Sequence, residues 1–84
     1  TFPAIKLARQ AVATSASHPA VYNAANEVFV DAFIDGDLPY LQIVDSLAQV
    51  LAEHTGIDNP DLAQIIQAQA WAKSKAQEIV MNAR

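Results

Sequence analysis

Four prolines, Pro3, Pro19, Pro39 and Pro60, each stand at the front of a stretch with helical apolar spacing. Proline has no N–H and a φ fixed near −65°, so it suits the first turn of a helix and breaks the interior of one. The two glycines, Gly36 and Gly56, fall where the second and third stretches end. This punctuation divides the chain into helical segments. It leaves no convincing strand, because Leu38-Pro39-Tyr40-Leu41 is short and interrupted by proline.

The first segment is expected from about Pro3 to Thr14, with Ile5, Ala8 and Val12 at helical spacing; Ala16-Ser17-His18 then breaks the pattern. The second runs from Pro19 to Asp35, where Val21, Ala25, Val28, Phe29, Ala32 and Phe33 make a broad apolar stripe. Gly36 is the expected left-handed residue that ends it. The third runs from about Tyr40 to His54, with Tyr40, Ile43, Val44, Leu47, Val50 and Leu51 following the i, i+3, i+4, i+7 rule. His54 is favourably placed near that helix end, and Gly56 is its expected stop. In the fourth, Asn59 is the expected N-cap, Pro60 the first helical residue and Asp61 a first-turn acid. Leu62, Ile65, Ile66, Gln69, Ala72, Ala76, Ile79 and Val80 carry it to near the C-terminus. Loops of a few residues favour antiparallel neighbours. The expected fold is all-α, a compact four-helix bundle forming a single domain over residues 1–84.

Charge is segregated. The cations Lys6, Arg9, Lys73, Lys75 and Arg84 lie towards the two ends, and all acids except Glu78 lie between Glu27 and Asp61. The simplest reading sets the terminal helices beside the middle ones. A net charge of −4 argues against nucleic acid and against an anionic membrane surface, both of which require a basic footprint. No apolar run approaches the ~20 residues of a membrane span, no signal peptide is visible, and there is no cysteine. A cytoplasmic setting is expected. The chain opens on Thr1 and its one methionine is Met81, as expected of a processed product or a piece of something longer. A charged share of 17%, against about 25% in ordinary domains, with 52% hydrophobic residues suits a module whose faces are partly covered by a partner.

Tyr22-Asn23-Ala24-Ala25-Asn26-Glu27 carries the most suggestive side chains. Asparagine competes with the helix backbone for hydrogen bonds, so two of them near a helix start suggest a task. At about 100° per residue, Asn23, Asn26 and Glu27 share one face beside small alanines. Three uses are open: anchoring a loop within the domain, docking a neighbouring domain, or contacting a substrate.

That run also carries a family resemblance. Phe2-Pro3-Ala4-Ile5-Lys6-Leu7-Ala8-Arg9, Asn23 to Glu27, Ala32-Phe33 and Ala70-Trp71-Ala72-Lys73 resemble the C-terminal helical domain of 1-deoxy-D-xylulose 5-phosphate reductoisomerase over nearly the whole chain. The resemblance implies a parent enzyme that rearranges and reduces deoxyxylulose phosphate to methylerythritol phosphate in isoprenoid biosynthesis. It also implies NADPH and a divalent metal, Mn or Mg, held by parts upstream of this segment. No catalytic, cofactor-binding or metal-binding residue is carried over. Asn23, Asn26 and Glu27 are structural or domain-docking candidates, and the implied partner is the catalytic domain of the parent chain. Alone, the segment is expected to be inactive and prone to self-association.

Other constellations are weaker. Glu27, Asp31 and Asp35 form a like-charged i, i+4, i+8 column, read as a solvated face, a partner-facing ridge or, least of all, a metal site. His18 and His54 have no second ligand at metal spacing and read as helix-end residues. Trp71 reads as an anchor against the bundle or a docked domain. Asp45-Ser46-Leu47 matches the phosphopantetheine attachment triplet of acyl carrier proteins, but Ser46 falls inside a helix. The alternatives to a support domain are thus a stand-alone helical interaction module and, behind it, a carrier-like protein modified on Ser46.

Overall fold

The computed structural model describes Arg9 and residues 15–57 and 59–83. The expected first helix, Pro3 to Thr14, lies outside the described residues apart from Arg9, which is helical and exposed. Three helices follow: α1 (His18–Ile34), α2 (Tyr40–Glu53) and α3 (Leu62–Ala83). Among the described residues there is no strand and no helix long and apolar enough to cross a membrane. The fold seen is an all-helical bundle of three; the fourth helix of the expected bundle is not among the described residues.

Helix α1 is the central element, packed against both α2 and α3, while α2 and α3 touch each other least. Its buried residues Val21, Ala24, Ala25, Phe29 and Ala32 form the stripe that period 3.6 dictates. Helix α2 adds Ile43, Leu47, Val50 and Leu51, and α3 adds Ala68, Ala72, Ala76 and Val80 at intervals of four. The alanine stripe of α3 meets a core to which α1 also contributes alanines, so backbones approach closely and the large volume is supplied by Phe29, Leu38 and Leu47. Not all of the expected apolar stripe is buried. Phe33, Tyr40, Leu62 and Ile66 are exposed. They lie at helix ends; on α3 the buried residues begin only at Ala68, so its first turns reach past the core.

The helix ends follow local chemistry, with two corrections. Helix α1 closes in a Schellman turn: Gly36 N–H donates to Phe33 O at 3.0 Å and Asp37 N–H to Ala32 O at 2.8 Å. Gly36 has φ +82°, the left-handed conformation expected of it. Gly56 does not share that conformation. Helix α2 has already ended at His54, whose ψ of 126° is extended. Gly56 is needed for a different reason: a Cβ there would lie 2.7 Å from Ser15 Cβ and 3.3 Å from His18 Cε1.

The second correction concerns the start of α3. Asn59 is not its cap; it takes φ +51°, a conformation asparagine tolerates but an N-cap does not use. The cap is Asp61. Its Oδ1 accepts from Gln64 N–H at 2.7 Å while Gln64 Oε1 accepts from Asp61 N–H at 2.9 Å, a reciprocal capping box. Pro60 accordingly precedes the helix, which begins at Leu62.

Candidate functional site: the asparagine face and a buried serine–histidine junction

Helix α1 places Asn23 and Glu27 on the surface and Asn26 half-buried between them, while Ala24 and Ala25 turn into the core. Among the described residues neither asparagine side chain has a hydrogen-bond partner. Glu27 Oε2 lies 3.9 Å from Lys73 Nζ on α3, and Lys75 Nζ lies 3.4 Å from Glu53 Oε1 on α2. Lysines of the C-terminal helix thus sit against acids of the middle helices, as the charge segregation suggested. Glu27 and Lys73 are largely solvent-exposed, so that pair contributes at most about 1 kcal/mol.

Further along α1, Asp31 and Asp35 join Asp37 on one side of a cleft of about 470 Å³, faced by Gln77, Val80 and Met81 of α3. Among the described residues no group of three or more His, Asp or Glu side chains could hold a metal ion. Ser46 is 8% exposed in the middle of α2. A serine buried there cannot carry a prosthetic arm, so the carrier-like reading is set aside.

The most organised polar cluster joins the start of α1 to the segment after α2. Ser17, with no exposed surface, occupies the N-cap position of α1 but makes no side-chain cap bond. Its hydroxyl reaches across the bundle instead. It accepts from Ile57 N–H at 3.0 Å, lies 2.8 Å from His54 Nε2 and 3.1 Å from Ser15 Oγ. Ser15 Oγ accepts from His18 N–H at 3.2 Å and lies 2.5 Å from His18 Nδ1. The two imidazoles meet edge to face with centroids 4.7 Å apart, and Trp71 of α3 lies 5.7 Å from the His54 ring. Beside them His54, Ile57, Gln64, Gln67 and Trp71 line a cleft of about 300 Å³. Burial, then the neighbouring His18 imidazole, holds His54 below the usual histidine range.

Both histidines do stand at helix ends, as their positions suggested. Their pairing was not legible, since neither has a partner within its own segment. The only sequence hint is a glycine, Gly56, following His54 closely. Among the described residues no carboxylate bonds either ring, and Ser17 is inaccessible. Ser17 therefore lacks both the orienting acid and the accessible oxygen that a nucleophilic serine requires. What the geometry shows is a hydrogen-bonded structural joint.

The model of the DXP reductoisomerase C-terminal domain matches residues 1–75. The 1-deoxy-D-xylulose 5-phosphate reductoisomerase of Beutenbergia cavernae is 48% identical, over 96% of this chain and 21% of its own length. The enzymes of the same name from Symbiobacterium thermophilum and Desulfosudis oleivorans are 44% and 48% identical, over 93% and 89% of this chain and 20% of their own lengths. The chain spans about one fifth of the length of the curated relatives it matches. No solved structure matches it.

Proposed function

Because the chain belongs to the DXP reductoisomerase C-terminal domain family, we propose that it is the C-terminal support domain of a longer reductoisomerase. The parent would convert deoxyxylulose phosphate to methylerythritol phosphate with NADPH and a divalent metal, in the cytoplasm. The observation that carries this reading is the 48% identity spread over 96% of the chain and confined to 21% of the relative. Among the described residues nothing is arranged to hold either cofactor. The described residues offer no three-ligand metal cluster, and two isolated glycines make no phosphate-binding loop. Both groups are assigned to the remaining four fifths of the parent, and no catalytic step is placed on this chain.

Its contribution is a rigid surface. Two features support docking through α1: the amides of Asn23 and Asn26 beside Glu27, which have no hydrogen-bond partner among the described residues, and the apolar side chains left exposed at the α1–α2 end. Phe33 and Tyr40 pack edge to face there at 5.6 Å while Ile34 and Leu41 stand 73% and 85% exposed. Exposed apolar clusters of this kind mark covered surfaces more often than free ones. A chimera tests the reading. The Beutenbergia cavernae enzyme with its C-terminal segment replaced by this chain should retain reductoisomerase turnover. A folded, monodisperse chimera without turnover would overturn it.

A further inference from the structure

We propose that Ser15, Ser17, His18 and His54 form a single-proton latch: a reversible chain of hydrogen bonds that holds the start of α1 to the segment after α2 while the two imidazoles share at most one extra proton, and that loosens when both are charged. The inference rests on hydrogen-bond bookkeeping and stands independently of the parent enzyme's activity.

The chain runs His18 Nδ1, Ser15 Oγ, Ser17 Oγ, His54 Nε2, with separations of 2.5, 3.1 and 2.8 Å. Each hydroxyl has one proton to donate and two lone pairs. One lone pair on each is committed to a backbone donor, His18 N–H on Ser15 and Ile57 N–H on Ser17. Two arrangements then satisfy every atom. In the first, His18 Nδ1–H donates to Ser15, Ser15 to Ser17, and Ser17 to an unprotonated His54 Nε2. In the second every bond reverses, so that His54 Nε2–H donates to Ser17, Ser17 to Ser15, and Ser15 to an unprotonated His18 Nδ1. The first admits a cationic His18 and the second a cationic His54.

A second proton has no place. With both rings charged, each imidazole donates inward and each backbone N–H keeps its lone pair. All four lone pairs are then occupied, and the Ser15–Ser17 bond has no acceptor left. Ser17 has no exposed surface, so water is poorly placed to replace that bond. The two cations would also face each other with ring centroids 4.7 Å apart. Among the described residues the charged groups around the pair offset little of this. Glu53, next to His54 on α2, is drawn to Lys75 of α3 at 3.4 Å. Beyond that, α3 presents the neutral Gln64, Gln67 and Trp71 to the cleft beside His54, and Glu53 is the one acid among the described residues lining it. On the α1 side, among the described residues, Ser15, Gly56 and His54 lie against His18.

The chain holds only two histidines, so both are readable by nitrogen NMR of the 84-residue protein labelled in histidine. The expected result is a pair of coupled titration steps, with the second proton bound at least about tenfold more weakly than the first, a separation of about one pH unit. Ring nitrogen shifts should reveal a mixture of opposed tautomers before the first step. Ser17→Ala removes the acceptor of Ile57 N–H as well and could unfold the joint, so Ser15→Ala is the deciding variant. It breaks the chain and removes the acceptor of His18 N–H, a first-turn donor at the helix start, while leaving Ser17, Ile57 and His54 in place. In a folded Ser15→Ala protein the two steps should move together. Coincident steps in the unaltered protein would overturn the latch. So would a separation unchanged by Ser15→Ala, because the rings would then be coupled only through space.

Discussion

Ser17 and His54 are 37 residues apart in the chain, and their side chains meet at 2.8 Å. Ser17 stands where a serine ordinarily caps its own helix, yet its hydroxyl is turned outward to the end of the neighbouring one. The start of α1 is thereby tied to the residues that follow α2, including Ile57. That joint lies less than two turns from Asn23, so the entry angle of the helix carrying the asparagine face is set by a tertiary bond rather than a local one.

The two glycines should fail differently when replaced by alanine. Gly56→Ala drives a methyl into Ser15 at 2.7 Å and should cost about 1–3 kcal/mol, as overpacking does. Gly36→Ala meets nothing within 4 Å but must hold φ +82°, a strain of about 1–2 kcal/mol. Urea unfolding gives both losses. Only the first should also shift the His18 resonances.

The cap of α3 is open to a direct comparison. Asp61→Ala removes the side-chain half of the capping box and should cost about 0.5–2 kcal/mol. Asn59→Gly should be neutral or slightly stabilising, because glycine adopts the positive φ without strain. Had Asn59 been the cap, the two effects would be reversed.

Stability should fall as the solution is acidified from pH 7 to pH 5. In the folded protein burial and His18 hold His54 below the usual value of about 6.5. The unfolded chain therefore binds more protons than the folded one in this range. The stabilisation is fully present above about pH 6.5 and is lost as pH falls through the folded value. Denaturant midpoints across this window measure the slope, and His54→Gln should flatten it.

Asn26→Ala should leave the stability of the 84-residue chain within about 0.5 kcal/mol, since no described group loses a partner. If α1 docks on the rest of a parent enzyme, the longer protein should be the one weakened. A loss of about 1–3 kcal/mol in the short chain would instead assign Asn26 to loop anchoring within the domain.

Self-association of the isolated chain should run through the exposed α1–α2 end. Leu41→Glu, at a side chain 85% exposed, should shift sedimentation towards monomer without lowering the unfolding midpoint. Phe29→Ala, at a side chain with no exposed surface, should cost about 3–5 kcal/mol and melt the bundle.

Helix identity was legible in the sequence because its signals are local. The 3.6-residue apolar period located α1 and α2, with boundaries at His18–Ile34 and Tyr40–Glu53 against the expected Pro19–Asp35 and Tyr40–His54. Gly36 announced its own Schellman turn, since a left-handed residue after an apolar run has few other uses. The family could be read from motif residues together, above all Asn23 to Glu27. The start of α3 was misread although its signal is also local: Asp61 and Gln64 form a capping-box pattern, but Asn59-Pro60 offered a competing one, and the choice turned on the backbone angle of Asn59. What tertiary structure alone decided was which ends of the apolar stripes stay exposed, why Gly56 cannot carry a Cβ, and that Ser15, Ser17, His18 and His54 share one network. Periodicity and caps act within a few residues, whereas these features depend on how closely two helices approach, a distance set by the summed packing of the core.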